Sequence, residues 1–74
     1  MKHTTFEEIR ETITAMILVM KAAETREVIT RAYTRIDGAI NAFSITGLLT
    51  IEEDRELTKL NNDSMQEMFR LIKE

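Results

Sequence analysis

The residues of this chain that could do chemistry are carboxylates spaced one helical turn apart. Glu7 with Glu11, and Glu52 with Glu56, would each lie on one face of a helix. Paired carboxylates act as general acid and base where burial shifts the pKa of one of them. Both pairs fall on the polar sides of their segments, beside Lys or Arg. We therefore expect them to be solvated and the chain not to be an enzyme.

Other catalytic and metal-binding chemistries lack the residues that they require. His3 is the single histidine, and the chain has no cysteine. A zinc site takes three or four ligands, and a serine nucleophile needs a base within reach. No glycine-rich loop is present to bind phosphate, since the two glycines are Gly38 and Gly47. We expect no cofactor and no metal, with His3 solvated near a frayed end.

Apolar spacing predicts that three helices carry these residues in an all-α fold. The chain has no proline, and apolar residues recur every three or four positions near residues 5–22, 25–46 and 51–73. The third segment contains Asn61 and Ser64 within its apolar side, so it is either one helix with a polar layer, which we favour, or two. We predict a small antiparallel three-helix bundle that forms one domain over the whole chain.

The predicted helix ends carry capping residues. The first helix would begin at Thr4 or Thr5, each three residues before a glutamate, and the third at Thr50, three residues before Glu53; both patterns are capping boxes. Thr25 would cap the second helix. Gly47 would end it, because glycine adopts the left-handed conformation without a steric penalty.

The first two helices are predicted to be separate. On one continuous helix, the apolar face of residues 6–20 and that of residues 29–43 would point about 170° apart. A break between residues 21 and 28 lets both faces meet one core; the alternative is a single long helix covered by different partners in a dimer. The second face is the candidate core seam, formed by Ile29, Tyr33, Ile36, Ile40 and Phe43.

One stretch of the first helix is apolar on every side. The run Ala15–Met20 contains no polar residue, and a helix that is apolar all round is buried all round. A small bundle leaves one side of each helix in water, so we predict a homodimer in which Ile17, Leu18 and Val19 take part in self-association. The alternative is a central helix covered by the other two.

The net charge of −3 arises entirely in the last third of the chain. Residues 47–74 carry four basic and seven acidic side chains, whereas residues 1–46 carry six of each. Glu52, Glu53, Asp54 and Glu56 form a candidate acidic docking surface for a basic partner protein. The alternative is ordinary helix capping, since carboxylates in a first turn are stabilised by the helix dipole.

Nucleic-acid binding is the alternative function. Arg26, Arg31 and Arg35 would form a weak basic strip on the second helix. In a helix-turn-helix the start of the recognition helix meets the major groove, but here the third helix starts with three carboxylates, which repel phosphates. We therefore do not expect nucleic acid as the partner.

The sequence favours a non-catalytic interaction module with an unknown protein partner. Such a module would act as an adaptor, inhibitor or regulator by occluding a partner's surface; the small size suits a phage or mobile-element accessory protein. The longest apolar run has six residues, whereas a bilayer span needs about 20, and glutamates precede it where a secretory signal is basic. We expect no membrane association and cytoplasmic residence.

Overall fold

The computed structural model describes residues 5–72, which form three helices and no strand. α1 spans Phe6–Met20, α2 spans Arg26–Ile45 and α3 spans Ile51–Leu71, and the three helices pack together. The all-α prediction is confirmed, and each predicted helix end lies within two residues of the observed one. His3 and Thr4 lie outside the described residues. None of the three helices combines the length and the apolar character that crossing a bilayer requires.

Each helix begins at a threonine whose hydroxyl accepts a hydrogen bond from the backbone amide three residues later. Thr5 caps α1 and Thr25 caps α2, where the accepted bonds are both 3.2 Å long. Thr50 makes a complete capping box: its hydroxyl accepts from the Glu53 amide, and its own amide donates to the Glu53 carboxylate at 2.9 Å. These bonds satisfy amides that lack partners within the helix.

Gly47 ends α2 in the left-handed conformation, with φ of 79°. The Gly47 amide donates to the Ser44 carbonyl and the Leu48 amide to the Phe43 carbonyl, both at 3.0 Å. These two bonds define a Schellman motif, which satisfies carbonyls at the helix end. The side chain of Leu49 then enters the core before α3 begins.

The core is built from the apolar side of each helix. The connection between α1 and α2, residues 21–25, separates the two helices so that both apolar faces turn inward. The candidate seam is part of this core: Ile29, Ile36 and Ile40 are buried, and Tyr33 and Phe43 pack half-buried against them. The side chains buried beside them are Ile9, Ile13, Ile17, Met20, Leu49, Leu57 and Met68.

α3 runs without a break through its two buried polar residues, Asn61 and Ser64. Asn61 is fully buried, and its side-chain amide donates to the backbone carbonyl of Tyr33 at 3.2 Å. The Tyr33 hydroxyl donates in turn to the side-chain oxygen of Asn62. A polar layer therefore joins α2 to α3, which matches the favoured interpretation of one continuous helix.

Candidate functional site

α1 carries two apolar stripes on opposite sides. Ile9, Ile13, Ile17 and Met20 form the inner stripe and are buried in the core. The second stripe consists of Ala15, Leu18 and Val19, at positions i, i+3 and i+4; we call it the outer stripe. All three of its side chains are exposed, Leu18 at 63% and Val19 at 72% of their surface. Ala22, which is also exposed, lies just beyond the end of α1.

The exposure of the outer stripe shows that the other helices cover only one side of the apolar run Ala15–Met20. α2 and α3 cover the inner side of α1 alone, so the interpretation of α1 as a central, fully covered helix does not describe this chain. Ile17, a candidate for self-association, lies in the core at 4% exposure. A rotation of 100° per residue carries it away from Leu18 and onto the inner stripe.

A groove between α1 and α2 borders the outer stripe. It has a volume of about 140 Å³, and its walls include the side chains of Val19 and Met16 from α1 and of Ala32 and Arg35 from α2. Because the side chain of Ala32 is a single methyl group, it leaves room for the groove. Exposed Arg35 places a positive charge beside it. An apolar side chain that packs on Val19 would therefore have a preformed depression next to it.

Charge is distributed unevenly along the outer surface of α1. Glu7, Glu8 and Glu11 precede the outer stripe and are exposed, whereas Lys21 follows it as the C-cap of α1. Arg10 lines the same shallow depression as Glu11, Ala15 and Leu18, and it forms an ion pair with Glu56. Exposed Glu24 follows Lys21 in the connection to α2. Glu11 and Lys21 are therefore the charged residues that lie nearest in sequence to the two ends of the outer stripe.

The candidate acidic docking surface is largely engaged within the chain. Glu53 belongs to the capping box, and Glu56 forms an ion pair with Arg10 at 3.7 Å. Asp54 accepts hydrogen bonds from the hydroxyls of Ser44 and Thr58. Glu52 is exposed in the first turn of α3. Capping and contacts between helices thus account for three of the four carboxylates.

The three candidate nucleic-acid arginines lie in three different surroundings. Arg31 donates to Glu27, one turn earlier in α2, at 2.9 Å. The Arg26 guanidinium lies 5.0 Å from the centre of the Phe69 ring, a cation–π contact between α2 and α3. Arg35 lines the groove beside Val19. The three arginines of the basic strip predicted from the sequence therefore lie in different environments.

A second apolar patch, which the sequence did not indicate, surrounds the connection between α2 and α3. Ile45 and Ile51 are 76% and 69% exposed, and Leu48 is 41% exposed. Ile45 ends α2 and Ile51 starts α3, so both positions lie where the helical pattern stops and periodicity gives no orientation. Leu49, between them, is the residue that anchors this connection in the core.

The carboxylate pairs considered for acid–base chemistry lie in water. Glu7, Glu11, Glu52 and Glu56 are all exposed. Within residues 5–72, no group of three His, Cys, Asp or Glu side chains is arranged so that it could hold a metal ion. The surfaces of α1 and of the α2–α3 connection offer exposed apolar side chains.

No known protein family and no curated protein matches the sequence, and no solved structure matches the fold. The function is therefore inferred from the surfaces themselves.

Proposed function

We propose that this chain is a non-catalytic protein-interaction module that binds another protein chain through the outer stripe. The observation that carries the proposal is the exposure of Ala15, Leu18 and Val19 on a helix whose opposite side is already buried. Positions i, i+3 and i+4 are among those through which an amphipathic helix docks in a groove of its partner. By covering a surface of that partner, the module would act as an adaptor, inhibitor or regulator.

The gain from covering the outer stripe supports this function. Burying a leucine or valine side chain yields about 1.5–3 kcal/mol, most of which is available to Leu18 and Val19 because they are about two-thirds exposed. Contiguous exposed apolar residues on a small protein commonly mark an interaction site. Neither side chain belongs to the core or to the partly buried side chains packed against it, so the formation of the core does not account for its apolar character.

The other candidate surfaces support the proposal by comparison. Glu53 and Asp54 have partners within the chain that explain their presence, and so does Arg31. The outer stripe has no such explanation, since folding would tolerate polar residues at Leu18 and Val19. An acidic docking surface reduced to Glu52 offers a basic partner little to bind.

We also infer that the helices run antiparallel, as a bundle with short connections does. Ser44 contacts Asp54 close to the α2–α3 connection, and Tyr33 contacts Asn62 farther from it on both sides. Two helices run antiparallel when their contacting residues lie progressively farther from the connection on both helices. The short connection of residues 21–25 between α1 and α2 favours the same arrangement. Cytoplasmic residence stays a prediction.

Nucleic-acid binding through α2 is the second candidate. Arg35 and Arg31 are exposed on α2, which is the observation in its favour. The ion pair of Arg31 with Glu27 weakens the case for nucleic-acid binding, because a neutralised arginine releases fewer counterions from DNA. Binding of duplex DNA that falls steeply as salt rises would establish this candidate, whereas binding to an apolar protein surface changes little with salt.

Affinity capture with paired variants tests the proposed function. The immobilised protein, a Leu18→Gln/Val19→Gln variant and an Ile45→Gln/Ile51→Gln control are each exposed to lysate and to the purified protein itself. The control removes equally exposed apolar residues at another site. We expect a chain, of this or another protein, that the parent and the control retain and the α1 variant loses. Retention that is equal for all three, or absent from the parent, contradicts the function.

A further inference from the structure

We propose that the chain bound at the outer stripe is a second copy of this protein, with the two α1 helices packed antiparallel across a two-fold axis. The inference rests on the proposed function of the outer stripe and names its partner. A two-fold interface uses one surface twice, so that surface has to be complementary to itself. Both the side-chain sizes and the charges along α1 meet this requirement.

The side-chain sizes of Ala15 and Leu18 are complementary. Ala15 is small, and Leu18, one turn later on the same face of α1, is large. In an antiparallel pair, Leu18 of each copy can lie over Ala15 of the other, so that a large side chain meets a methyl group twice. The small residue allows the helices to approach, and the leucine fills the space beside it.

The charges of α1 select the antiparallel orientation. When Leu18 lies over Ala15 of the second copy, Lys21 lies opposite Thr12 of that copy. Glu11 of the second copy is one residue away, which is about 1.5 Å along the helix axis. Because of the two-fold axis, this attraction occurs twice in the dimer. A parallel pair would instead bring Lys21 beside Lys21 and Glu11 beside Glu11, which is repulsive. Glu11 and Lys21 thus complement each other in the antiparallel orientation alone.

The small size of the outer stripe is typical of a weak interface. From Ala15 to Val19 it extends about 6 Å along the helix. Stable complexes bury about 800 Å² per partner, and little more than one turn of one helix offers less. We therefore expect a reversible dimer with a dissociation constant on the order of 10–100 μM.

Sedimentation equilibrium tests the dimer. Over about 5 to 500 μM, we expect the apparent mass to rise from the monomer value of 8.6 kDa towards twice that value. Leu18→Glu places carboxylates in the centre of the interface, so this variant should stay monomeric at the highest concentration. Ile45→Glu adds the same charge at an exposed apolar residue of α2 and should associate like the parent. A parent that is monomeric throughout overturns the inference.

Disulfide trapping tests the orientation, because the chain contains no cysteine of its own. Chains with Ala15→Cys and chains with Leu18→Cys are mixed and oxidised with diamide. A disulfide needs Cα atoms about 4.4–6.8 Å apart, a distance that the antiparallel register gives to positions 15 and 18. Two copies of either position are displaced by a further 4.5 Å or so along the axis. We expect the mixed dimer to exceed either like dimer several-fold.

Ile45→Cys mixed with either variant is the matched control and should cross-link slowly. Like dimers that form as readily as the mixed dimer would overturn the antiparallel register.

Together with affinity capture, these experiments separate the two proposals. A parent that stays monomeric, but whose captured partner is lost by Leu18→Gln/Val19→Gln, refutes the second copy and retains the proposed function. A monomeric parent whose capture is unaffected by that variant refutes both. A parent that dimerises and is dissociated by Leu18→Glu supports both.

Discussion

Ile17 and Leu18 are adjacent in sequence and lie on different faces of α1, the first 4% and the second 63% exposed. One residue of helix rotates the side-chain direction by about 100°, which is enough to move it from the core to water. A single turn of α1 therefore holds both the residues that stabilise the fold and those that we propose bind a partner. Substitutions at the two positions should affect different properties.

Replacement of each residue by alanine should separate stability from association. Ile17→Ala leaves a cavity in the core and should lower the free energy of unfolding by about 2–4 kcal/mol. Leu18→Ala removes an exposed side chain and should change it by less than about 0.5 kcal/mol. Urea denaturation at low micromolar concentration, where the proposed dimer is dissociated, measures both. Equal losses at the two positions would show that Leu18 is buried in the monomer.

A carboxylate at the centre of the seam should prevent folding. Ile36 is 1% exposed, and an unpaired carboxylate there costs several kcal/mol, as much as the whole stability of a small domain. Ile36→Asp should therefore abolish the cooperative thermal transition in circular dichroism. The control, Arg31→Ala with Arg35→Ala, removes exposed charges that contribute about 0–1 kcal/mol and should melt near the parent. A cooperative melt of Ile36→Asp near the parent's temperature would contradict this packing.

The periodic parts of the sequence predicted the fold well. Ile29, Ile36 and Ile40 recur at helical spacing, and a stripe at that spacing has one way to become buried. Thr25 and Thr50 fixed two helix starts because a hydroxyl before a helix has a defined partner, the amide three residues later. Local rules were sufficient wherever one interaction decided the outcome.

The sequence failed where periodicity was missing. The phase of the apolar face over residues 6–20 places Leu18 and Val19 off that face, and both are exposed. The run Ala15–Met20 is apolar throughout, so Ile17 was grouped with them for self-association, although it is buried in the core. The engagement of Asp54 with Ser44 was also hidden, because it joins two helices across a turn. For the same reason, the exposure of Ile45 required the three-dimensional arrangement of the helix ends.

The two glycines should respond to alanine with opposite signs. Gly38 lies inside α2, and a methyl group added there meets no atom within 4 Å, so Gly38→Ala should stabilise the protein by about 0.5–1 kcal/mol through helix propensity. Gly47 has φ of 79°, where alanine is strained, so Gly47→Ala should destabilise it by about 1 kcal/mol. Urea denaturation of both variants gives the signs. Stabilisation by Gly47→Ala would show that the Schellman turn does not form.

Replacement of the buried asparagine by leucine should not destabilise the protein. Asn61 is fully buried, donates to the Tyr33 carbonyl and has no partner for its side-chain oxygen. An unsatisfied buried acceptor costs about 1–3 kcal/mol, which offsets the single bond that the side chain makes. Asn61→Leu should therefore be neutral or stabilise by up to about 1 kcal/mol.

Asn61→Asp is the control, because it places a carboxylate of similar size at the same position. It should destabilise by several kcal/mol at neutral pH. If Asn61→Leu proves as damaging as Asn61→Asp, the polar layer is essential to the packing of α2 against α3.

The last prediction concerns the pairing of Glu11 with Lys21 between two copies. Either Glu11→Lys or Lys21→Glu alone turns two attractions of the antiparallel dimer into two repulsions. Exposed pairs contribute about 0.2–1 kcal/mol each, so each single variant should raise the dissociation constant roughly tenfold at low salt. The double variant exchanges the two charges and restores the attraction in reverse.

Recovery in the double variant distinguishes a direct contact between copies from a general effect of charge. Its net charge equals that of the parent, and its dissociation constant should return to within about threefold of the parent value in sedimentation equilibrium. High salt should reduce all three differences, since both residues are exposed and ions screen such pairs. If the two single effects simply add in the double variant, Lys21 and Glu11 do not meet, and the helices pack in another register. In a parallel pair neither single variant should weaken the dimer through these residues, because the parent and both single variants all place like charges beside each other.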